Sequence, residues 1–590
     1  MAVIFVAIFV KLFYLQVIND DLKLISEHNT RKRIAIYPSR GLIFDNKGTV
    51  LVSNELVYDL LITPKYVRNI DSAKLICKYL NIDTTEFRIA YEKAKKYSKI
   101  KSSVFYKLLT REQHAQLQEI LHQFPGFSFQ QRTMRKYNEN LSGHIIGDVG
   151  EISLKELQND PYYSGGDFIG KSGVEKSYEN ILRGQKGIEY ILVDVNNRKV
   201  GKYENGINDT LAVEGKSLTL TIDLEFQRYC EKIMANKIGC IVAIDPQNGE
   251  IITLVSSPDF NPSELIGRQR SQNYKILMED TRKPLLNRAV ASEYPPGSVF
   301  KIAQVLVGLD MNVIKKSSYF PCDYAFVGCH NHPPCTDVSR GIQFSCNPYF
   351  YYVYKKIILQ GKTKNVFSDS EIGLNLWHDK IITLAFGAKL DIGLPNVKSG
   401  YVPDSKFYDK IYGHHRWAFS TIYSNAIGQG EVLATPLQIA NFGAIIANKG
   451  YYYIPHIVKS VDSVPETKYT QKNHTPFKEE FFIPIIRGMF YVVNEEYGTG
   501  NLAYINNIIV CGKTGTAQNK GKDHSVFMAF APMNNPKIAL CVYVENAGWG
   551  NQWAAPISRL VIEKYLNHCI SDTLFEQRII NTSLIGTQEH

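Results

Sequence analysis

Short apolar blocks recur through the second half of the chain, with longer helical-period stretches between them. Ile241-Val242-Ala243-Ile244-Asp245 and Glu250-Ile251-Ile252-Thr253-Leu254-Val255 have strand length and flank Pro246-Gln247-Asn248-Gly249, which has the composition of a hairpin turn. Ile508 to Cys511, Val526 to Ala531 and Ile538 to Glu545 add three more such blocks. Leu224 to Ala235, Val299 to Leu309, Pro436 to Ala447 and Ala555 to Asn567 read as helices. Thr435 before Pro436 supplies an N-cap and a first-position proline. These blocks predict an α+β domain with a central antiparallel five-stranded sheet covered by helices on both faces. Ser217 to Ile222 alternates like a further strand where this domain begins, near Gly215. Residues after Ser571 read as a loose tail.

The first third has another pattern. Gly41 to Asp45 and Thr49 to Val52 flank Asn46-Lys47-Gly48 and predict a hairpin. Ala73 to Ala94 and Arg111 to His122 read as amphipathic helices. Gly170-Lys171-Ser172-Gly173 invites a phosphate-loop reading, but the glycine required upstream is missing. Ser172 and Glu175 have capping-box spacing for a helix over Val174 to Leu182. His144, alone between glycines, reads as structural. No nucleophile, base or metal set falls in this region.

Met1 to Ile18 is almost wholly apolar apart from Lys11 and Gln16, slightly short of the roughly 20 residues a membrane-spanning helix needs. Lys23, Arg31, Lys32 and Arg33 follow it and no basic residue precedes it, so a naive positive-inside reading conflicts with an exported body; a basic stub upstream would resolve this. The net charge of +10 suits an anionic polymer or membrane surface. No basic block interleaves with aromatics, which argues against nucleic acid.

The chemistry centres on Glu293-Tyr294-Pro295-Pro296-Gly297-Ser298-Val299-Phe300-Lys301. The prolines and glycine stop regular structure, so Ser298 is expected in the first turn of the helix that follows. Lys301, three residues on, shares its face. A desolvated neutral lysine there can activate the hydroxyl. Ser345-Cys346-Asn347 and Lys513-Thr514-Gly515-Thr516 follow in chain order. A chance Lys-Thr-Gly is expected only about 0.1 times in such a chain.

With its three elements in this order, the sequence resembles the class B penicillin-binding proteins, and their elongation branch in particular. Gly428-Gln429-Gly430, Ala434-Thr435-Pro436-Leu437-Gln438 and Arg40-Gly41-Leu42-Ile43-Phe44-Asp45 support the resemblance, which spans nearly the whole chain. It implies a membrane anchor (1–18), an elongated non-catalytic pedestal of dimerisation type (19–214), a β-lactamase-like transpeptidase domain (215–570) and a C-terminal tail (571–590). It implies a single-pass inner-membrane protein whose catalytic domain is periplasmic, crosslinking peptidoglycan stem peptides and trapped by β-lactams. Its implied partners are a SEDS-family glycosyltransferase and rod-complex scaffold proteins.

Carried onto these positions, Ser298 is the nucleophile, Lys301 its base and Ser345 a proton relay. Asn347 holds Lys301 and the substrate. Lys513 and Thr514 bind the terminal carboxylate, Gly515 keeps the strand edge open, and the Ser298 and Thr516 N–H groups form the oxyanion hole. No cofactor is required. A division-type transpeptidase and a β-lactam sensor or hydrolase are the alternatives. Cys346 reads as packing. Cys322, Cys329, His330, His332 and Cys335 cluster just upstream and would suit either a structural zinc ion or a disulfide bracing the Ser345 loop.

Overall fold

The computed structural model describes residues 2–14, 31–67, 75–139, 142–193, 199–323 and 326–586. Five antiparallel strands form the catalytic sheet, in the order Ile251–Ser257, Gly239–Ile244, Ile538–Val544, His524–Ala531, Cys511–Ala517. The expected hairpin closes with Ile241 opposite Val255. The strand expected over Ile508 to Cys511 instead begins at Cys511 and carries Lys513, Thr514 and Gly515 itself, on the sheet's edge.

Every residue of Gly239–Ile244, Ile251–Ser257 and Ile538–Val544 is buried, which requires cover on both faces. The Pro436–Ala447 helix, buried along its whole length, packs against Gly239–Ile244 and Ile538–Val544. Thr435 and Gln438 close a capping box at its start. Ala554–Asn567 packs against His524–Ala531 and Ile538–Val544.

A seven-stranded sheet builds the pedestal. Its hairpin, Ile43–Phe44 with Val50–Ile62, matches the expected one, and the second strand runs on to pair with Phe127–Tyr137. Leu218–Leu220 joins this sheet, parallel to Ile43–Phe44, rather than the catalytic one. Val458–Val461 pairs on its other side, so chain from the catalytic half helps build the pedestal sheet. Arg40 and Gly41 lie at the same junction. Arg40 donates to Glu175 and Glu179 at 2.8 and 3.0 Å, and Arg135 donates to Glu175 at 2.7 Å. A Cβ on Gly41 would stand 1.9 Å from the Lys216 carbonyl oxygen, so only glycine fits.

Three further expectations are corrected. Glu175 is held by the two arginines, and Ser172 Oγ donates to Asp148, so no capping box forms; Gly173–Ser177 and Glu179–Leu182 are two short helices. The single helix over Ala73 to Ala94 is broken at left-handed Asn81 into Ile76–Leu80 and Thr84–Tyr97, with Asp83 capping the second; residues 73 and 74 lie outside the described residues. The supposed tail contains the Thr573–Asn581 helix, which buries Phe575 and Ile579; residues 587–590 lie outside the described residues.

At the N-terminus Ala2–Phe13 is helical, and residues 1 and 15–18 of the expected anchor lie outside the described residues. Among the described residues no helix is long and apolar enough to cross a membrane. His144 is buried, edge-on to Phe260 and 3.5 Å from Asp259, and burial lowers its pKa to about 4.

Candidate active site

Ser298 lies in a 3₁₀ turn, Gly297–Phe300, that passes into the Lys301–Asp310 helix. It therefore precedes the α-helix rather than opening it. A 3₁₀ turn eclipses residues three apart, so Ser298 and Lys301 still share a face. Gly297 has φ +56°, and a Cβ there would come within 2.5 Å of the Thr516 carbonyl oxygen. That glycine is what lets the Ser298 turn lie against the edge strand. Ser298 itself is half-buried.

Lys301 is fully buried. Its Nζ donates to the Ser345 carbonyl oxygen at 2.7 Å and to Asn347 Oδ1 at 2.6 Å. Ser345 Oγ sits between two amines, 3.2 Å from Lys301 Nζ and 2.8 Å from Lys513 Nζ. Burial lowers the Lys301 pKa to about 8. Lys513 is lowered well below the ordinary lysine range, by burial first and by Lys301 second. Burial thus eases proton loss from both amines, and the Ser345 hydroxyl connects them. Ser345 holds a left-handed backbone (φ +52°) as it ends the Val338–Phe344 helix. Such strain in a non-glycine residue is common where a loop must aim a functional group.

Several supports came with no role attached in the sequence. The Gly297 N–H donates to the Gly428 carbonyl at 2.9 Å, and Gln429 Nε2 donates to the Thr516 carbonyl at 2.9 Å. Gly428 and Gln429 therefore tie the nucleophile turn to the edge strand. Tyr294 and Ala434 exchange two backbone hydrogen bonds, and Tyr294 OH donates to Glu545 at 2.7 Å. Thr514 Oγ1 donates to Thr499 Oγ1 at 2.9 Å. Thr499 and Glu545 were missed because neither belongs to a motif. Gly515 has Val299 and Val526 side-chain atoms within 3.2 Å of where a Cβ would stand, so a side chain there would push into the nucleophile turn.

The cysteine cluster differs in membership from the expectation. Cys322, Cys329, His332 and Cys346 each place a donor atom within 4.8 Å of the others; His330 and Cys335 are not in this set. All ten cysteines are free thiols, so no disulfide braces the loop. His332 Nδ1 donates to the Pro333 carbonyl at 2.7 Å, which leaves Nε2 facing the Cys322 and Cys329 sulfurs at 3.5 Å each. Three thiols and one imidazole are a zinc donor set. Cys346, read from sequence as packing, contributes the fourth donor from between Ser345 and Asn347. Asn347 Nδ2 also donates to the Gly328 carbonyl at 2.7 Å, so the same loop props both sides of the motif.

The penicillin-binding protein transpeptidase domain family matches residues 239–563, and the penicillin-binding protein dimerisation domain matches residues 35–220. The chain belongs to the penicillin-binding protein transpeptidase family. It is an enzyme of that family, a serine-type D,D-transpeptidase. The peptidoglycan D,D-transpeptidase MrdA of Haemophilus influenzae is 30% identical over 95% of this chain and 89% of its own. A Helicobacter pylori penicillin-binding protein (PBP2), solved in complex with MreC, superposes with a TM-score of 0.77 at 25% identity, covering 91% of this chain and 99% of that one. A chain from a peptidoglycan synthase complex that coordinates polymerization and crosslinking gives 0.70 at 25%, covering 97% and 98%. In this penicillin-binding protein, Lys301, Ser345, Asn347 and Lys513 form one hydrogen-bonded group, Lys301 follows Ser298 by three residues, and Gly515 and Thr516 abut the Ser298 turn.

Proposed function

We propose that this enzyme crosslinks peptidoglycan stem peptides during cell elongation. The observation that carries the reading is the pair of buried lysines bridged by Ser345 Oγ next to a half-buried serine. Ser298 Oγ attacks the carbonyl carbon of a D-Ala-D-Ala donor while Lys301 takes its proton. The oxyanion is held by the Ser298 and Thr516 N–H groups, each donor contributing about 10²–10³ in rate. The proton passes from Lys301 through Ser345 to the departing D-alanine amine as the peptide bond breaks. Lys513 and Thr514 hold the terminal carboxylate, with Thr499 fixing the Thr514 hydroxyl. An acceptor amine then attacks the acyl-enzyme, forms the crosslink and frees Ser298. β-Lactams enter the same first step and stay on Ser298.

The four-donor cluster fits a structural zinc ion held by Cys322, Cys329, His332 and Cys346. Bound there, the ion supplies no chemistry at the reacting carbonyl; it ties the loop before Asp337 to the Ser345 turn. The MreC complex and the synthase complex of the relatives support placing this chain with a scaffold protein and a glycan-polymerising enzyme. In this proposal they are a rod-complex scaffold and a SEDS-family glycosyltransferase, and the chain works at the periplasmic face of the inner membrane, anchored through its N-terminal segment.

Purified protein given a D-Ala-D-Ala pentapeptide and an amine acceptor should release D-alanine and form the joined product. Ser298→Ala should do neither. Release with water as the only acceptor would make the enzyme a hydrolase instead.

A further inference from the structure

A second group of side chains with metal-ligand chemistry lies outside the site described above. Glu371 projects from the Val366–Ile382 helix, and His414 and His415 follow the Ser405–Tyr412 helix in a tight turn. Gly413 (φ +92°) and His415 (φ +56°) give that turn its shape. Together they bring the two imidazoles to 3.8 Å between centroids and put His415 Nδ1 3.8 Å from Glu371 Oε2. One donor atom from each of the three residues lies within 4.8 Å of the others.

We propose that Glu371, His414 and His415 bind a divalent transition-metal ion of the zinc class. Two imidazoles beside a single carboxylate suit zinc, copper or nickel, whereas magnesium and calcium take mainly oxygen donors. Asp409 gives the set its outer support. It faces His414 Nδ1 at 3.2 Å and accepts from Trp417 Nε1 at 2.7 Å. A carboxylate can only accept, so Nδ1 carries the proton and Nε2 is left to bind, the usual carboxylate–histidine–metal arrangement. A tetrahedral ion with bonds of about 2.0–2.1 Å needs donors about 3.4 Å apart. His414 and His415 are exposed and Glu371 is half-buried, so rotation of the two imidazoles would be needed to close the present spacing. Three protein donors leave a position for water, so the ion would exchange readily, unlike one held by the four donors of the thiol cluster.

The consequence is mechanical. The ion would clamp the Val366–Ile382 helix to the turn that leads into Phe419–Ile427. Those two elements already touch through the Phe419 N–H to Ser370 Oγ bond of 3.0 Å, one residue from Glu371. Further along, Asn425 O accepts from Gln304 Nε2 and Gly428 O accepts from the Gly297 N–H, both at 2.9 Å. Metal occupancy therefore stiffens the backing of the nucleophile turn without entering the reaction.

The test is zinc binding by the full chain, with any affinity tag removed, followed by equilibrium dialysis with elemental analysis and by titration calorimetry. Wild type should bind one more zinc per chain than the Glu371→Gln/His415→Asn double variant. Asp409→Asn should keep that site but weaken it about 10–100-fold. Cobalt(II) separates the two centres: the thiolate charge-transfer absorption of the cysteine cluster should be the same in wild type and double variant. Penicillin acylation of the double variant confirms that it is folded. Equal zinc stoichiometry and affinity in wild type and a folded double variant would overturn the proposal.

Discussion

The proposed mechanism makes Lys301 the base for acylation, and its burial then sets a pH profile. The amine is fully enclosed, and burial brings its pKa from 10.5 to about 8. At about 1.4 kcal/mol per pH unit, the site disfavours the charged form by roughly 3 kcal/mol. An ordinary lysine would be only about 0.03% neutral at pH 7, whereas this one is about 9% neutral, a gain of roughly 300-fold in available base. Acylation by a fluorescent penicillin should therefore rise about tenfold from pH 7 to pH 9 and then level off. The sign for stability follows from proton uptake. Between about pH 8 and 10.5 the unfolded lysine still holds its proton and the folded one does not, so stability should rise with pH across that window. Lys301→Met removes the buried amine but leaves the Ser345 carbonyl and Asn347 Oδ1 without their donor, at about 1–3 kcal/mol each. Gain and loss largely offset, so stability should change little while acylation falls about 10²–10⁴-fold. Stopped-flow labelling from pH 6 to 10, with urea unfolding at each pH, measures both. An acylation rate flat between pH 7 and 9, or near wild-type labelling of Lys301→Met, refutes the assignment.

Three further outcomes are expected. Gly297→Ala forces a Cβ onto the Thr516 carbonyl at a left-handed position, so it should lower the unfolding free energy by about 1–3 kcal/mol and abolish labelling; thermal melts and gel fluorescence read this. Thr499→Val removes the partner of the Thr514 hydroxyl and should raise KM for a D-Ala-D-Ala peptide about fivefold with kcat little changed, a net bond being worth about 1 kcal/mol. Cys329→Ser should cut bound zinc by one equivalent per chain and slow acylation through the loosened Ser345 loop, measured by elemental analysis and labelling rate together.

Most of the catalytic domain was legible because its signals are local. The Ile241 to Val255 hairpin, the Thr435–Pro436 helix start and the three motifs each depend on residues close in sequence. What was not legible is mostly long-range. Leu218–Leu220 has a strand's alternation, but nothing local says that it pairs with Ile43–Phe44 and Val458–Val461. Ser172 and Glu175 have capping-box spacing, yet Arg40 and Arg135 offer Glu175 charged partners that outweigh a cap worth about 1 kcal/mol. Cys346 sits inside a motif with no histidine in a triad-like context, so it read as packing, and only the fold brings it to Cys322, Cys329 and His332. Two errors were avoidable. Asn81 and Asp83 are good helix-end and helix-start residues inside the stretch read as one helix, and Asp572 before Phe575 and Ile579 marks the helix in the supposed tail.

The central claim is that Ser298 is the acylated nucleophile. Labelling of wild type and Ser298→Ala with a fluorescent penicillin, a chase with unlabelled drug, and peptide mapping of the adduct test it directly. The account predicts a long-lived adduct on the peptide containing Ser298 in wild type and none on the variant. An adduct of equal yield on Ser298→Ala, or one mapped to another residue, would contradict it.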